Sequence, residues 1–581
     1  MFFLHALATK RKQLEQAGDI DALMNLPIVT VFEKSASPGG VWRSDRNRDN
    51  SKKESCQQHT VDTDESANMY EGLWINGHKD ALEFFDYTFE DHFKTPQPVY
   101  LPRQQILEYM MARVTKHGAI FQDVLFNTAV QSVTYDDALE QFVIVSRDKE
   151  GMISTRYFDK CIWASGLNGK PKIPKDVTNK LGDFKGQVLH SSAMDKLAGS
   201  SSSSADGKND NAVEGKRILL IGDSYSAEDL ALQCIKLGAE KIFMTSRKGS
   251  GAAAYMGSWP LDKVEMLWYS RIAGVKEDGT GKTIVFEELE ENKPVPDAED
   301  VSIIILCTGY KENLSFLDDK LQPWKKDEDC GTWCMEDVGE STTTWRMKEN
   351  VLTSTIGHVE PSKELDLNSD FVCENSYRKL LISNTNMMYI YEMTDHNLLD
   401  IDVMAWLCLV YITGERPIPS REEMLETNKR ELLESMQEVS IRYNLDPEFK
   451  AAWGKVPEEH WSNDTSDGRY EELENEASSY HLRVLAGYMK DANYPMSLGD
   501  INGLNEMGAN LLKMKWYCAK ARYDLEHCDE ETKKWKTFRD SDASPYRSSL
   551  TGMGSVPLKG KWLDIDDEGN PVFNSGTGTQ N

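Results

Sequence analysis

Residues 216–248 read KRILLIGDSYSAEDLALQCIKLGAEKIFMTSRK, and the reading of this stretch decides the fold. Apolar residues 218–221 make a short buried strand, Gly222 permits a tight turn, and a helical pattern follows before a second apolar strand near 241–245. Strand, turn, helix and strand in this order form a dinucleotide-binding unit with parallel strands. The turn Gly222-Asp223-Ser224-Tyr225-Ser226-Ala227 fits G-x-G-x-x-A with serine in place of the second glycine. Gly222 allows the turn, Ala227 lets the helix pack on the strand, and helix-start amides at 224–227 face a pyrophosphate. Arg247 and Lys248 end the second strand where an NAD site carries an acid, and a cation there suits the 2′-phosphate of NADP. A ligand-free structural turn has the same outline. The terminal cation is what favours the nucleotide.

Toward the N-terminus lies half of a second such unit. MFFLHALATKRK reads as a helix, and VTVFEKSASPGGVW as a strand followed by a glycine pair. Glu33 sits where a carboxylate accepts the two hydroxyls of an adenosine ribose. Gly39, Gly40 and Val41 offer a close backbone approach beside the aromatic wall of Trp42. A lone Glu at a strand end is ordinarily solvated, so the ribose reading rests on its combination with the glycine pair and the second loop. ASG (164–166) and CTGY (307–310) add two more strand-to-glycine turns. Between the glycine pair and ASG, FNTAVQSVTY and QFVIVS alternate as antiparallel strands, and EFFDYTFEDHF and LPRQQILEYMMARVTKHG read as helices. The serine-rich 199–215 reads as a disordered insertion, and from 417 the pattern is helical and charged.

At 581 residues the chain has room for more than one domain. A net charge of −29 argues against nucleic acid and anionic membranes as partners, since both are polyanions. The ten cysteines lack paired metal-ligand spacing; Cys330 and Cys334 make a lone C-x3-C, so no metal is expected and the thiols point to a reducing, cytoplasmic setting. No run approaches the roughly 18 apolar residues of a membrane helix, so no membrane anchor is expected. The fold class is α/β, with two Rossmann-like dinucleotide-binding domains and a helical C-terminal extension. The expected division is 1–170 and 299–416 for one domain, interrupted by 171–298, with 417–581 as the extension.

With these residues in view, the chain resembles the flavin-containing monooxygenase family, most of all its bacterial trimethylamine monooxygenase type. The resemblance lies in FEKSASPGGVW, MYEGLWINGHKDALEFFDYTFEDHF, LFNTAV, GDSYSAEDLALQC, ILCTGY and FRDSDASPYRSSLTG. The family's F-x-G-x-x-x-H signature is present as Phe184, Gly186 and His190, with Met194 where an aromatic closes the motif. The resemblance implies an FAD domain interrupted by an NADPH domain. It also implies oxygenation of a soft nucleophile, a small amine nitrogen or sulfide sulfur, by O2 through a C4a-hydroperoxyflavin. It gives Glu33 to the FAD ribose, Gly39, Gly40, Val41 and Trp42 to the flavin, and Val130 to the adenine. It gives Tyr70, Gly222, Ser224, Tyr225, Ser226, Ala227 and Arg247 to NADP, with Asn76 and Tyr225 as the catalytic residues. His190 takes a structural role, and a homodimer is a partner to expect. Baeyer–Villiger oxidation of ketones and a catalytically silent NADP-binding protein are the competing readings. In this family a strand and G-x-G-x-x-G precede the helix read at MFFLHALATKRK, so a truncated start is the expectation.

Overall fold

The computed structural model describes residues 1–43, most of 69–94, 101–197 without 119 and 167–168, and 212–247 without 224. It also describes 263–323 without 290–293 and 312–313, 375–431 without 392–396 and 429–430, 483–495, and short strand pairs at 333–347 and 563–573.

A five-stranded parallel sheet carries the complete nucleotide unit. Its order is Val264–Leu267, Lys241–Thr245, Arg217–Ile221, Val301–Leu306 and Gln187–His190. Successive residues along these strands face opposite sides. Leu219, Ile221, Phe243, Ile304 and Leu306 enter one core, and Ile218, Leu220, Ile242, Met244, Ile303 and Ile305 the other. Burial on both faces is why these strands read as unbroken apolar runs. Helix Tyr225–Lys236 follows the turn, with Ala227, Leu230 and Ala231 fully buried.

The other unit is assembled from distant pieces. Val31–Phe32 pairs in parallel with Val124–Leu125, and Cys161–Trp163 pairs in parallel with Asn384–Tyr389. The antiparallel strands read at FNTAVQSVTY and QFVIVS are Ala129–Asp136 and Gln141–Arg147, extended by Ile153–Phe158. Helix Phe2–Ala17 packs along the apolar helix Asn397–Thr413. The first two turns of Phe2–Ala17 are buried all round. It stops at Gly18, whose φ of +68° places it in the left-handed region and lets its amide bond Glu15. Two crossings join the units: Lys170–Pro171 pairs antiparallel with Tyr310–Lys311.

Three sequence expectations shift. The strand Val301–Leu306 hydrogen-bonds between Arg217–Ile221 and Gln187–His190, so the sheet of the interrupting unit extends past the boundary drawn at 298. Among the described residues of EFFDYTFEDHF, only Phe89–Phe93 is helical, because Phe84 and Tyr87 form a bridge and Phe84 packs under Tyr109. The end of the insertion, 212–215, is packed: Val213 is fully buried and the Gly215 amide donates to the Gly238 carbonyl, anchoring the entry to the sheet. The remainder of that insertion, and most of 417–581, lie outside the described residues.

Candidate functional site

The turn after Arg217–Ile221 is fixed by steric necessity at its first residue. Gly222 has φ +116°, and a Cβ there would lie 2.5 Å from the Cys307 carbonyl oxygen. The Gly222 amide donates to Thr245 Oγ1 at 3.1 Å, and Ser246 donates to the Asp223 carboxylate, so the turn is tied to the end of the neighbouring strand. Arg247 is exposed directly beyond that tie. Helix-start amides, a glycine that no other residue can replace without displacing Cys307, and a free-standing face at Arg247 together fit a phosphorylated nucleotide.

Cys307 leads into the glycine turn at Gly309, which has φ +77°. His190, at the end of Gln187–His190, is fully buried. Its Nε2 lies 3.0 Å from the Gly309 carbonyl oxygen, and its Nδ1 accepts the Ser192 amide. Burial pushes its pKa down to about 4, against the opposing pull of the Gly309 carbonyl. A neutral imidazole with one donor and one acceptor satisfies both contacts. Thr308 Oγ1 donates to the Lys172 carbonyl, and the Lys172 amide donates to the Gly309 carbonyl at 2.9 Å. The two crossings between units are thus bonded to each other and to His190.

The first unit's turn begins at Glu33, whose carboxylate accepts the Ser35 amide at 2.8 Å. Gly39 and Gly40 have φ +118° and +53°. A Cβ on Gly39 would come within 2.7 Å of Leu107, whereas a Cβ on Gly40 would meet nothing within 4 Å. One glycine therefore packs inward and the other leaves an open face for a flat ring. Gly40–Trp42 forms a single helical turn. Tyr70 is 5% exposed, and its buried hydroxyl has no hydrogen-bond partner among the described residues. Such a group costs about 1–3 kcal/mol, which a bound polar molecule would relieve. These are the features that fit a flavin on the first turn and a nicotinamide nucleotide on the second.

The structure brings Gly222, Ala227 and Arg247 to one sheet edge and Glu33, Gly39, Gly40, Val41 and Trp42 to one turn. Val130 is half-buried at the start of Ala129–Asp136, and Ser226 is half-buried on the nucleotide helix. Asn76, Ser224 and the side chain of Tyr225 lie outside the described residues. Sequence reasoning missed Arg103, a buried cation whose Nη1 donates to the Trp42 carbonyl at 2.8 Å and to the Arg43 carbonyl. One signal was available. Arg103 opens helix Arg103–Thr115, the end where a cation opposes the helix dipole, so a separate reason for it was to be sought. Among the described residues no cluster of three or more metal-ligating side chains occurs, and no helix is long and apolar enough to cross a membrane.

Residues 25–293 match a family model described as flavin-binding monooxygenase-like. The chain is 31% identical over 313 residues to a trimethylamine monooxygenase of Pelagibacter ubique, covering 54% of this chain and 59% of that protein. It is 33% identical over 315 residues to one of Roseovarius nubinhibens, covering 54% and 60%. A rabbit (Oryctolagus cuniculus) flavin-containing monooxygenase 5 matches at 28% identity over 45% of this chain and 43% of that protein. The matched region therefore spans somewhat over half the length of these trimethylamine monooxygenases. The crystal structure of Tmm from Pelagibacter sp. strain HTCC7211 superposes with a TM-score of 0.58 at 20% identity, covering 95% of this chain and 97% of that one. At that identity it speaks for the fold: α/β with two Rossmann-like units.

Proposed function

We propose, for a chain whose residues 25–293 match a flavin-binding monooxygenase-like family model, that it is an FAD- and NADPH-dependent monooxygenase of small amines and sulfides. One observation carries the reading. A single family match, 25–293, contains both the Glu33–Trp42 turn and the Gly222–Arg247 turn, each at a strand end. When bound, the flavin and the nicotinamide supply dioxygen activation and hydride, chemistry that no side chain provides.

The chain's own residues bind, orient and exclude water. Glu33 holds the ribose hydroxyls of FAD, Val130 meets its adenine, and Gly39, Gly40, Val41 and Trp42 present the ring-side face. Gly222, Ser224, Ser226 and Ala227 receive the NADPH pyrophosphate at the helix start, and Arg247 pairs with the 2′-phosphate. Tyr70 gives its orphaned hydroxyl to the nicotinamide nucleotide. Asn76 donates a hydrogen bond without being a strong acid, and with Tyr225 it shields the reacting centre from water. His190 stays neutral and holds the Gly309 turn, so it moves no proton in the reaction. In this reading 1–170 and 299–416 serve FAD and 171–298 serves NADPH, with the strand Val301–Leu306 completing the NADPH-side sheet, and the protein works in the cytoplasm.

The test is made on the purified full chain. The expected result is a yellow protein whose flavin absorption bleaches with NADPH, and NADPH consumption that rises with trimethylamine or dimethyl sulfide to give the N- or S-oxide. Ester formation from a cyclic ketone in place of those oxides would move the assignment to Baeyer–Villiger chemistry. A colourless protein that binds NADP tightly would reduce it to a nucleotide-binding protein.

A further inference from the structure

We infer that Arg103 is a positioning residue that holds the flavin-side turn and the segment leading to Asn76 in a single register. The inference rests on the functional reading above for its chemistry, and on geometry alone for the positioning itself. Arg103 is 3% exposed and begins helix Arg103–Thr115 after Pro102. Its guanidinium donates to two successive carbonyls, those of Trp42 and Arg43, at the end of the Gly40–Trp42 turn. Its backbone amide donates to the Leu73 carbonyl at 3.0 Å, and two residues earlier the Leu101 carbonyl accepts the Ile75 amide at 3.0 Å. Asn76 follows Ile75 directly. Leu73 in turn donates its amide to the carbonyl of Tyr70, whose hydroxyl has no partner among the described residues.

Arg103 thereby ties the flavin turn to Leu73 and, through it, to Tyr70, and the neighbouring Leu101–Ile75 bond continues the same rung. Leu107, one helical turn on, closes the underside by packing where a Cβ of Gly39 would lie. A cation at this helix end is electrostatically misplaced, and its two carbonyl acceptors account for its presence. Both bonds leave the one nitrogen Nη1, whose two hydrogens serve the two carbonyls on a side chain that keeps its charge throughout the physiological range.

Two full-length variants, Arg103→Met and Arg103→Lys, test this with hydrogen–deuterium exchange in the flavin-free protein and with FAD titration followed by flavin fluorescence. In Arg103→Met the amides of Trp42, Arg43 and Ile75 should exchange about tenfold or more faster, the effect of losing charge-assisted hydrogen bonds. Amides of Ile218–Ile221 should be unchanged. FAD should bind about 10- to 100-fold more weakly, and Arg103→Lys should recover part of both effects. Exchange at 42, 43 and 75 equal to the parent, or raised equally at 218–221, overturns the inference. If Arg103→Met does not fold, the same comparison in Arg103→Lys decides. A parent protein that binds no FAD, with locally raised exchange in the variants, would sink the monooxygenase reading and leave the positioning role standing.

Discussion

Arg247 stands exposed beyond a strand whose two preceding residues, Thr245 and Ser246, are both spent on fixing the Gly222–Asp223 turn. Its position is thus set by neighbours that do not themselves face solvent. If it pairs with a 2′-phosphate, Arg247→Ala should weaken NADPH about 10- to 100-fold while leaving NADH within about twofold, the range of a charge-assisted hydrogen bond. Parallel Kd measurements with the two nucleotides check it, and an equal loss for both would remove the phosphate role. The residue scale is also where sequence was most legible. Gly222 and Ala227 were readable because a φ of +116° against Cys307 and a fully buried helix contact each admit few residue types. Arg103 was not, since its acceptors are backbone carbonyls sixty residues away, and a carbonyl has no letter in a sequence.

At the scale of elements, one buried ion pair ties three helical segments. Arg113 of helix Arg103–Thr115 makes two bonds, at 2.8 and 2.7 Å, to Asp402 of helix Asn397–Thr413. Tyr494, after the helical segment at 483–491, donates to the same carboxylate at 2.6 Å. Asp402 is wholly buried and Arg113 nearly so. Asp86 also accepts from the Arg113 Nε at 2.8 Å, so Asp402→Ala leaves the buried cation half-paired and should cost toward the lower end of about 3–5 kcal/mol. The paired Arg113→Met, Asp402→Leu change, which leaves Asp86 its bond to Lys116, should recover part of it. Denaturant midpoints of the three proteins decide the matter: a paired variant as unstable as the single one would mean the charges themselves are required. Nothing in the local sequence pairs 113 with 402. The helices were legible from periodicity, but which helix meets which depends on packing that no window of residues contains. The same limit explains the strand boundary. The run at 303–306 was read correctly as a buried strand, yet its neighbours, 187–190 and 217–221, are set by topology.

Across the whole molecule, two buried histidines give stability a pH dependence. Burial holds both His5 and His190 at about 4, with the Arg113 charge also acting against protonation of His5. In the unfolded chain both titrate near 6.5. Between those values the unfolded state binds more protons, so their contribution is complete above about pH 6.5 and is lost as pH falls toward 4, by at most about 3 kcal/mol each. Urea unfolding at pH 7 and pH 5 should show this loss, and His190→Gln should reduce the difference between the two. A difference unchanged by that substitution would assign the effect to other groups. The pairing of Cys161–Trp163 with Asn384–Tyr389 also has a consequence for synthesis. Lys160 reaches its partner Asn386 across 226 positions of chain. At roughly 5–20 residues per second, the ribosome takes on the order of 10–45 s to supply the second strand after the first. During that interval the five-stranded sheet, whose last strand ends at Leu306, is fully translated and able to close. The first-made strand Cys161–Trp163 must meanwhile wait without its partner, an exposed edge that a chaperone would cover while the protein is being made.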